Sequence, residues 1–325
     1  MRITVMLRAV LAALMLCSAP AISHAQVWPA KPVRFVVPFP AGGSTDVVGR
    51  ILAEHLRQGL GQTFVIDNRA GAGGTVGSDV VAKAAPDGYT MLIGTSSTHA
   101  IASGLYGSKL PYDQVKDFAP VTLLGSATIL LVVHPSVAAK SVPELIALAK
   151  AKPNSLNFAS SGNGGVSHLT GEYFKSLAGI QMQHVPYKGD TPMITDLVAG
   201  RVSLAFGTAV AFLPHVQKNA LHALAVTNAK PSPVAPNLPT VAQTLPGFEA
   251  LQWFGILMPA GTPPEIVSRL QAETVKVLRL PEVRDRLQSM GIEIVGNTPA
   301  EFAAFMRDET TKWGRIVKES GAKVD

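Results

Sequence analysis

The feature that most constrains this chain is the run Val33-Arg34-Phe35-Val36-Val37-Pro38-Phe39-Pro40-Ala41-Gly42-Gly43-Ser44-Thr45-Asp46. Its β-branched and aromatic residues, closed by Pro38, read as a buried strand. After a glycine turn, Val47, Val48, Ile51, Leu52, His55 and Leu56 recur on one helical face. Gly42 and Gly43 let the backbone turn tightly, and Gly43 or Ser44 caps the helix. A helix starting there aims free N–H groups and a positive dipole end away from the strand. That is a ready anion site, and the expected anion is a small-molecule carboxylate. Asp46 falls in the first helical turn, where its charge disfavours phosphate and suits a smaller anion or one carrying an amino group.

Alternation continues beyond this unit. Strand patterns at 33–38, 64–67 and 89–94 are separated by helical patterns at 44–58 and 75–84. Such βαβ units predict a parallel sheet, with ligands beyond the carboxyl ends of its strands. The rule selects the loops 39–46, 68–74 and 95–99. Strand patterns at 121–124 and 129–133 flank Gly125-Ser126, where the chain is expected to cross into a second lobe. That lobe has strands at 156–159, 183–186, 202–206 and 221–226, and helices near 142–152, 165–177, 192–199 and 210–218. Residues 230–246 read as a surface connection. The run 251–258 then returns to the first lobe, and a short strand is expected at 292–295. Capping boxes are expected at Ser141–Glu144, Thr262–Glu265 and Thr298–Glu301. The predicted architecture is α/β: lobe 1 from 26–125 plus 252–325, lobe 2 from 126–251, and a two-segment hinge around a ligand cleft.

The first 25 residues carry Arg2 and Arg8, an apolar run and Ser23-His24-Ala25, the pattern of a secretory leader cut after Ala25. Export by the Sec route to the periplasm is expected. The apolar run is too short to span a bilayer. Cys17, the one cysteine, leaves with the leader. Loss of the two arginines takes the net charge from +6 to +4, and the remaining basic residues are scattered. Scattered cations do not make a nucleic-acid surface, and none is expected as a partner.

Candidate ligand contacts follow from the strand ends. The first loop supplies Phe39, Ala41, Gly42, Gly43, Ser44 and Asp46. Thr95, Thr98 and His99 form a hydroxyl-rich end in the same lobe. In the second lobe Ser160, Ser161, Gly162 and Gly165 open a polar turn before a helix, and His168 either touches ligand or packs. Tyr187 offers a flat face and a hydroxyl, Lys188 a charge, and Gly189 close approach. The glycines at 71–77 lack the G-x-G-x-x-G spacing of a dinucleotide fingerprint. Walker and G-x-S-x-G motifs are absent, and the histidines lack metal-type spacing. No cofactor, metal or catalytic residue is expected.

Together, Val36–Asp46, Asp67–Gly74, Ala82–Thr90, Ser160–His168, Val185–Gly189 and Pro259–Pro263 resemble the Bug family of periplasmic solute receptors. These are the TctC-like receptors of tripartite tricarboxylate transport systems. The resemblance covers nearly the whole mature chain. It implies a type II periplasmic-binding-protein fold, with a ligand carboxylate held largely by backbone groups and ordered water near the first loop. Members bind dicarboxylates, tricarboxylates, acidic amino acids or aromatic acids. Two departures lie near the pocket rim: Gly207-Thr208, where many relatives carry an acid, and Ala102-Ser103-Gly104, where Asn-Pro is usual. Gly207 and Thr208 join the candidate contacts on that ground. The implied role is a monomeric receptor, not an enzyme, that delivers its ligand to membrane carrier subunits. A carboxylate sensor presenting its closed form to a signalling protein is the alternative, and an exported enzyme on the same scaffold is less favoured.

Overall fold

The computed structural model describes residues 28–323. The expected leader and its cut after Ala25 lie outside the described residues.

The first sheet begins as the alternation predicts. β1 (Val33–Val37) pairs in parallel with β2 (Phe64–Asn68) and β3 (Thr90–Thr95). The connections are α1 (Ser44–Leu60) and α2 (Thr75–Ala82). Four of the five β1 side chains are buried, and the fifth, Arg34, reaches sideways to Asp67, with Nε 2.7 Å from Oδ2. A π-helical turn, Ser97–Ile101, and α3 (Ala102–Tyr106) follow β3.

The centre of the molecule is β4 (Phe118–Val133), a single 16-residue strand where the sequence pattern suggests two. Gly125 and Ser126 do not break it because they have partners on both sides. Gly125 faces Phe254 and Ile294, and Ser126 faces Trp253 and Glu293. Ladder hydrogen bonds there outweigh the local turn preference of Gly-Ser. Residues 118–128 pair antiparallel with β9 (Leu251–Pro259), while 129–133 pair with β7 (Leu204–Thr208) and β8 (His222–Val226). One strand thus serves both sheets.

The second sheet continues from β7 to β5 (Asn157–Ser160) and β6 (Gln183–Pro186), in the order β8-β4-β7-β5-β6. Its helices are α4 (Val142–Ala151), α5 (Val166–Ala178), α6 (Asp190–Val198) and α7 (Ala209–Gln217). β9 (Leu251–Pro259) returns between β3 and β4 in the first sheet, antiparallel to both. The chain closes with α8 (Pro264–Arg279), α9 (Pro281–Ser289), β10 (Ile292–Ile294) and α10 (Pro299–Ser320). The result is two α/β lobes of the type II periplasmic-binding-protein kind.

One core, including Phe35, Leu52, Met91, Ile93 and Phe254, lies on one face of the first sheet. Another, around Leu130, Val132, Phe212 and Leu221, fills the second lobe. A third runs through both, from Leu92 and Trp253 to Phe158, Phe174 and Phe206. β4 and α10 carry it across, so the lobes share packing as well as a strand.

Helix starts differ in detail from the sequence pattern. Thr298 and Glu301 form the expected reciprocal capping box. Ser141 accepts the Glu144 N–H at 3.4 Å, but the Glu144 carboxylate takes the Lys140 N–H instead. The box expected at Thr262–Glu265 is absent, because the Thr262 hydroxyl donates back to Pro259 O at 2.7 Å. The 230–246 connection is seated rather than superficial. Ser232 bonds Thr128 at 2.7 Å, and Val241 is fully buried.

Candidate functional site

The strand-to-helix loops of the two lobes meet. The Val166 N–H donates to Ser97 Oγ at 3.0 Å. A Cβ on Gly73 would lie 3.1 Å from Asn163 O, and one on Gly189 3.5 Å from Pro40 Cγ. A Cβ on Gly43 would lie 3.7 Å from Asp190 Oδ2. The loops after β1, β2 and β3 therefore face those after β5 and β6.

The first loop is rigid for a reason internal to it. Asp46 Oδ2 accepts from the Gly42 N–H and from Arg50 Nε, each at 2.9 Å. Asp46 Oδ1 accepts from Asn68 Nδ2, which also donates to Phe39 O, both at 3.0 Å. Burial pushes the Asp46 carboxyl up, but these hydrogen bonds and the Arg50 charge outweigh it and hold the pKa below its ordinary value. Asp46 is thus spent on shaping the loop, and its charge is paired. Gly43 caps α1 without a side-chain bond, leaving the cap to others. Phe39 and Ser44 are half-buried at the junction, while Ala41 and Gly42 are exposed.

The β3 end differs from expectation in which hydroxyl reaches out. Thr98 Oγ1 accepts the Thr95 N–H at 3.0 Å and lies 2.8 Å from His99 Nδ1. The His99 ring is turned into the core, 4.5 Å from Phe118 between ring centres, and burial lowers its pKa to about 3. Thr95, Thr98 and His99 are all fully buried. Ser97, not among the candidates, is the residue that crosses to the other lobe. A turn here makes neighbouring side chains diverge, so strand-like reading of the five letters does not single it out.

In the second lobe the 160–168 turn ties itself together. Ser160 Oγ lies 2.6 Å from His184 Nε2, and the Ser161 N–H donates to Ser167 Oγ at 3.1 Å. Gly162 and Gly165 shape that turn, and Gly165 caps α5 with no side chain of its own. His168 accepts the Gly164 N–H at 3.2 Å and stacks on His184, with ring centres 3.9 Å apart. Burial, and then the Lys175 charge, lowers His168 to about 4. Burial, then His168 and Lys175, lowers His184 to about 3. Both rings are neutral and packed. His168 is thus a framework residue of the turn.

The loop after β6 is bonded to this turn through the Tyr187 and Gly189 N–H groups, on Ser160 O and Ser161 O, each at 2.9 Å. The Tyr187 hydroxyl is engaged by Asp196 at 2.8 Å, and Lys188 is exposed. Asp190, absent from the candidates, places its carboxylate beside the Ser44 N–H and the Ser161 hydroxyl. The only sequence signal for it is an acid opening a helix directly after a glycine. Gly207 is packed beneath Phe212, whose ring atoms a Cβ would meet at 2.6 Å. Beside it the Thr208 hydroxyl is buried without a hydrogen-bond partner among the described residues.

An open depression of about 550 Å³ on the first lobe is lined by Tyr112, Asp113, Gln114 and Thr310, among others, and by none of these loops. Among the described residues no three His, Cys, Asp or Glu side chains gather at a metal site. No helix there is long and apolar enough to cross a membrane.

Residues 48–322 match the model of the tripartite tricarboxylate transporter family receptor, TctC. The chain belongs to this family. A TctC relative, protein BugT of Bordetella pertussis, is 37% identical over 301 residues, 92% of each chain. The solved structure of Rpa4515 from R. palustris with adipate is 37% identical. It superposes with a TM-score of 0.87 over 91% of this chain and all of the other. MatC from Rhodopseudomonas palustris with bound malate is 34% identical, with a TM-score of 0.84 over 89% of this chain and all of that one. This TctC chain shares their two-lobe architecture, and its relatives are solute-binding receptors rather than enzymes.

Proposed function

We propose that this protein is a monomeric periplasmic receptor that closes lobes 26–125 plus 252–325 and 126–251 on a small carboxylate. The closed form then delivers the ligand to membrane carrier subunits. The observation that carries this reading is the meeting of helix-opening loops from both lobes, at Ser97–Val166 and at Gly43–Asp190. Each loop ends a strand and starts a helix, so unpaired N–H groups and positive dipole ends converge on the space between them. The ligand contacts proposed are the Gly43 N–H and the Ser44 hydroxyl on one side and the turns around Ser161 and Gly189 on the other. Each charge-assisted bond from a backbone donor contributes about 1.5–3 kcal/mol. A few of these, less the ordering and closure costs, support micromolar affinity, roughly −8 kcal/mol. The relatives' adipate and malate fit the same chemistry.

The test is a thermal-shift screen of the mature chain against mono-, di- and tricarboxylates and amino acids. A true ligand at a hundredfold excess over its dissociation constant stabilises by about 2.7 kcal/mol. A flat response across the whole panel overturns the reading. Loss of uptake of the identified ligand on gene deletion tests delivery to a carrier, whereas a change in induced transcription alone points to a sensor.

A further inference from the structure

The two lobes divide the chain's charge unevenly. Residues 26–125 and 252–325 carry eighteen lysines and arginines against seventeen acids, a net of +1. Residues 126–251 carry eight against five, a net of +3. Four of those five acids are engaged. Glu172 pairs with Lys175 at 2.8 Å, Asp196 pairs with Arg201, and Glu249 lies 3.8 Å from Lys312 of the other lobe. The Glu144 carboxylate takes the Lys140 N–H at 2.8 Å. Among the described residues, the exposed side chains of Lys140, Lys150, Lys152 and Lys218 have no carboxylate within ion-pair distance.

These four lysines gather at one end of the second sheet, where β5, β7 and β8 start, remote from the ligand loops. The His134 N–H, just after β4, donates to Ser203 O at 2.9 Å, and the Ser203 N–H donates to Asn157 Oδ1 at 2.6 Å. Those bonds tie the end of β4 to the starts of β7 and β5. Lys140 lines an open depression of about 280 Å³ there with Asn219 and His222, and Lys218 precedes Asn219 in the chain. Lys150 and Lys152 close α4 just before β5. Beside them the Asn154 N–H donates at 3.2 Å to Gln181 O, beyond the end of α5. Leu177, in the last turn of α5, is a large apolar side chain left 41% exposed.

A helix C-terminus attracts a cation, and Lys150, Lys152 and Lys218 all stand at such ends. That accounts for a lysine at each helix end and not for the lack of acids between them. An ammonium is a compact, hydrated point charge, suited to a surface of mobile anions rather than to one planar group held at a fixed geometry. An anionic bilayer offers such a surface, and each lysine brought near it strengthens binding about fivefold.

We propose that this end of lobe 2 docks on an anionic lipid surface, with Lys140, Lys150, Lys152 and Lys218 over the headgroups and Leu177 against them. The ligand loops, at the opposite end of the sheet, stay clear of the bilayer. The lobes therefore open and close while the receptor is held near the membrane. The docking does not depend on which ligand the cleft takes.

The test is co-sedimentation of the full mature chain with phosphatidylcholine vesicles containing about one-third phosphatidylglycerol, at about 0.05 M salt. Binding to these vesicles and not to pure phosphatidylcholine is expected, with a loss of about tenfold at about 0.2 M salt. Lys140→Gln, Lys150→Gln, Lys152→Gln and Lys218→Gln together are expected to weaken it about a hundredfold, with ligand affinity unchanged. Should the fourfold variant melt early, Lys140→Gln with Lys218→Gln and Lys150→Gln with Lys152→Gln are measured as pairs, each expected to lose about tenfold. Removal of four exposed cations from lobe 1, by Lys109→Gln, Arg279→Gln, Arg307→Gln and Lys318→Gln, is expected to leave binding within about twofold. An equal loss in both variants overturns the proposal, since net charge alone then governs binding. Absence of the wild type from the anionic vesicle pellet at low salt overturns it as well. If cells carrying the lobe 2 variant lose uptake while the vesicles bind neither protein, the partner of this end is an acidic protein segment and the lipid assignment is wrong.

Discussion

Ser97 Oγ accepts the backbone N–H of Val166 at 3.0 Å, so a hydroxyl from one lobe caps a helix of the other. The N-cap residue of α5, Gly165, has no side chain to do this. The helix start is completed only when the lobes are together. An N-cap bond is worth about 1 kcal/mol, and here that energy favours closure. Ser97→Ala is expected to weaken ligand binding about fivefold, with circular dichroism unchanged. Unaltered affinity in this variant removes the cross-lobe cap from the closure mechanism.

Two glycines on facing sides of the first loop are expected to respond in opposite ways. Gly43 has an ordinary φ of −76°, and a Cβ there meets nothing closer than 3.5 Å. A large side chain, however, runs into Asp190. Gly43→Phe is expected to reduce ligand affinity more than tenfold while the melting temperature stays within a few degrees. Gly74 has φ +97°, and a Cβ there lies 2.6 Å from Thr98 Cγ2 and 3.0 Å from Phe39 Cζ. Gly74→Ala is expected to cost about 1–3 kcal/mol of stability, read from urea unfolding. The reverse pattern contradicts this assignment of the loop.

Asp46 is expected to behave as a structural acid. Asp46→Ala removes the acceptor of the Gly42 N–H and of Arg50 Nε and one of the two acceptors of Asn68, at a cost of roughly 1–3 kcal/mol. Its folded pKa lies below the ordinary 3.8. The contribution is therefore present above that value and lost as pH falls through the lower folded one. Comparing urea midpoints of the two proteins at pH 7 and pH 3 measures it, and the gap is expected to narrow in acid. An identical gap at both values excludes the pairing.

Acid sensitivity at milder pH is expected from the neutral histidines. His99 is lowered from 6.5 to about 3, so between these values the unfolded chain binds a proton that the folded chain does not. Its contribution to stability is present above 6.5 and falls as pH drops, by about 1.4 kcal/mol per unit. From pH 6.5 to 5 that is about 2 kcal/mol for His99, with a comparable contribution from each ring of the His168–His184 stack. His99→Gln is expected to flatten the slope of unfolding free energy against pH by about one proton. A slope unchanged by the substitution shows that His99 is charged in the fold.

Much of this was legible in order of residues. The strand, glycine turn and helix at 33–60 announce themselves through β-branched runs, Gly42-Gly43 and helical spacing, and the structure has them at nearly those limits. The Thr298 box is equally local. Less legible was β4, because Gly125-Ser126 is a turn by its own preference and a strand by its partners. Thr98 and His99 look like open hydroxyl and imidazole groups in the letters. A π-helical turn rotates them into the core and leaves Ser97 facing the other lobe.

The sequence by itself determined the α/β alternation, the loops that open helices, and the resemblance to a family of carboxylate receptors. Those rest on contacts between residues near in the chain, where period and turn chemistry suffice. Only the tertiary structure decided that β4 serves both sheets, that Ser97 reaches Val166, and that the α1 start faces Asp190. Ser44 and Asp190 are far apart in the chain, and nothing in either local pattern refers to the other. Their meeting depends on how two lobes pack about one long strand, and it puts a protein carboxylate at the helix start that the sequence offered to a ligand.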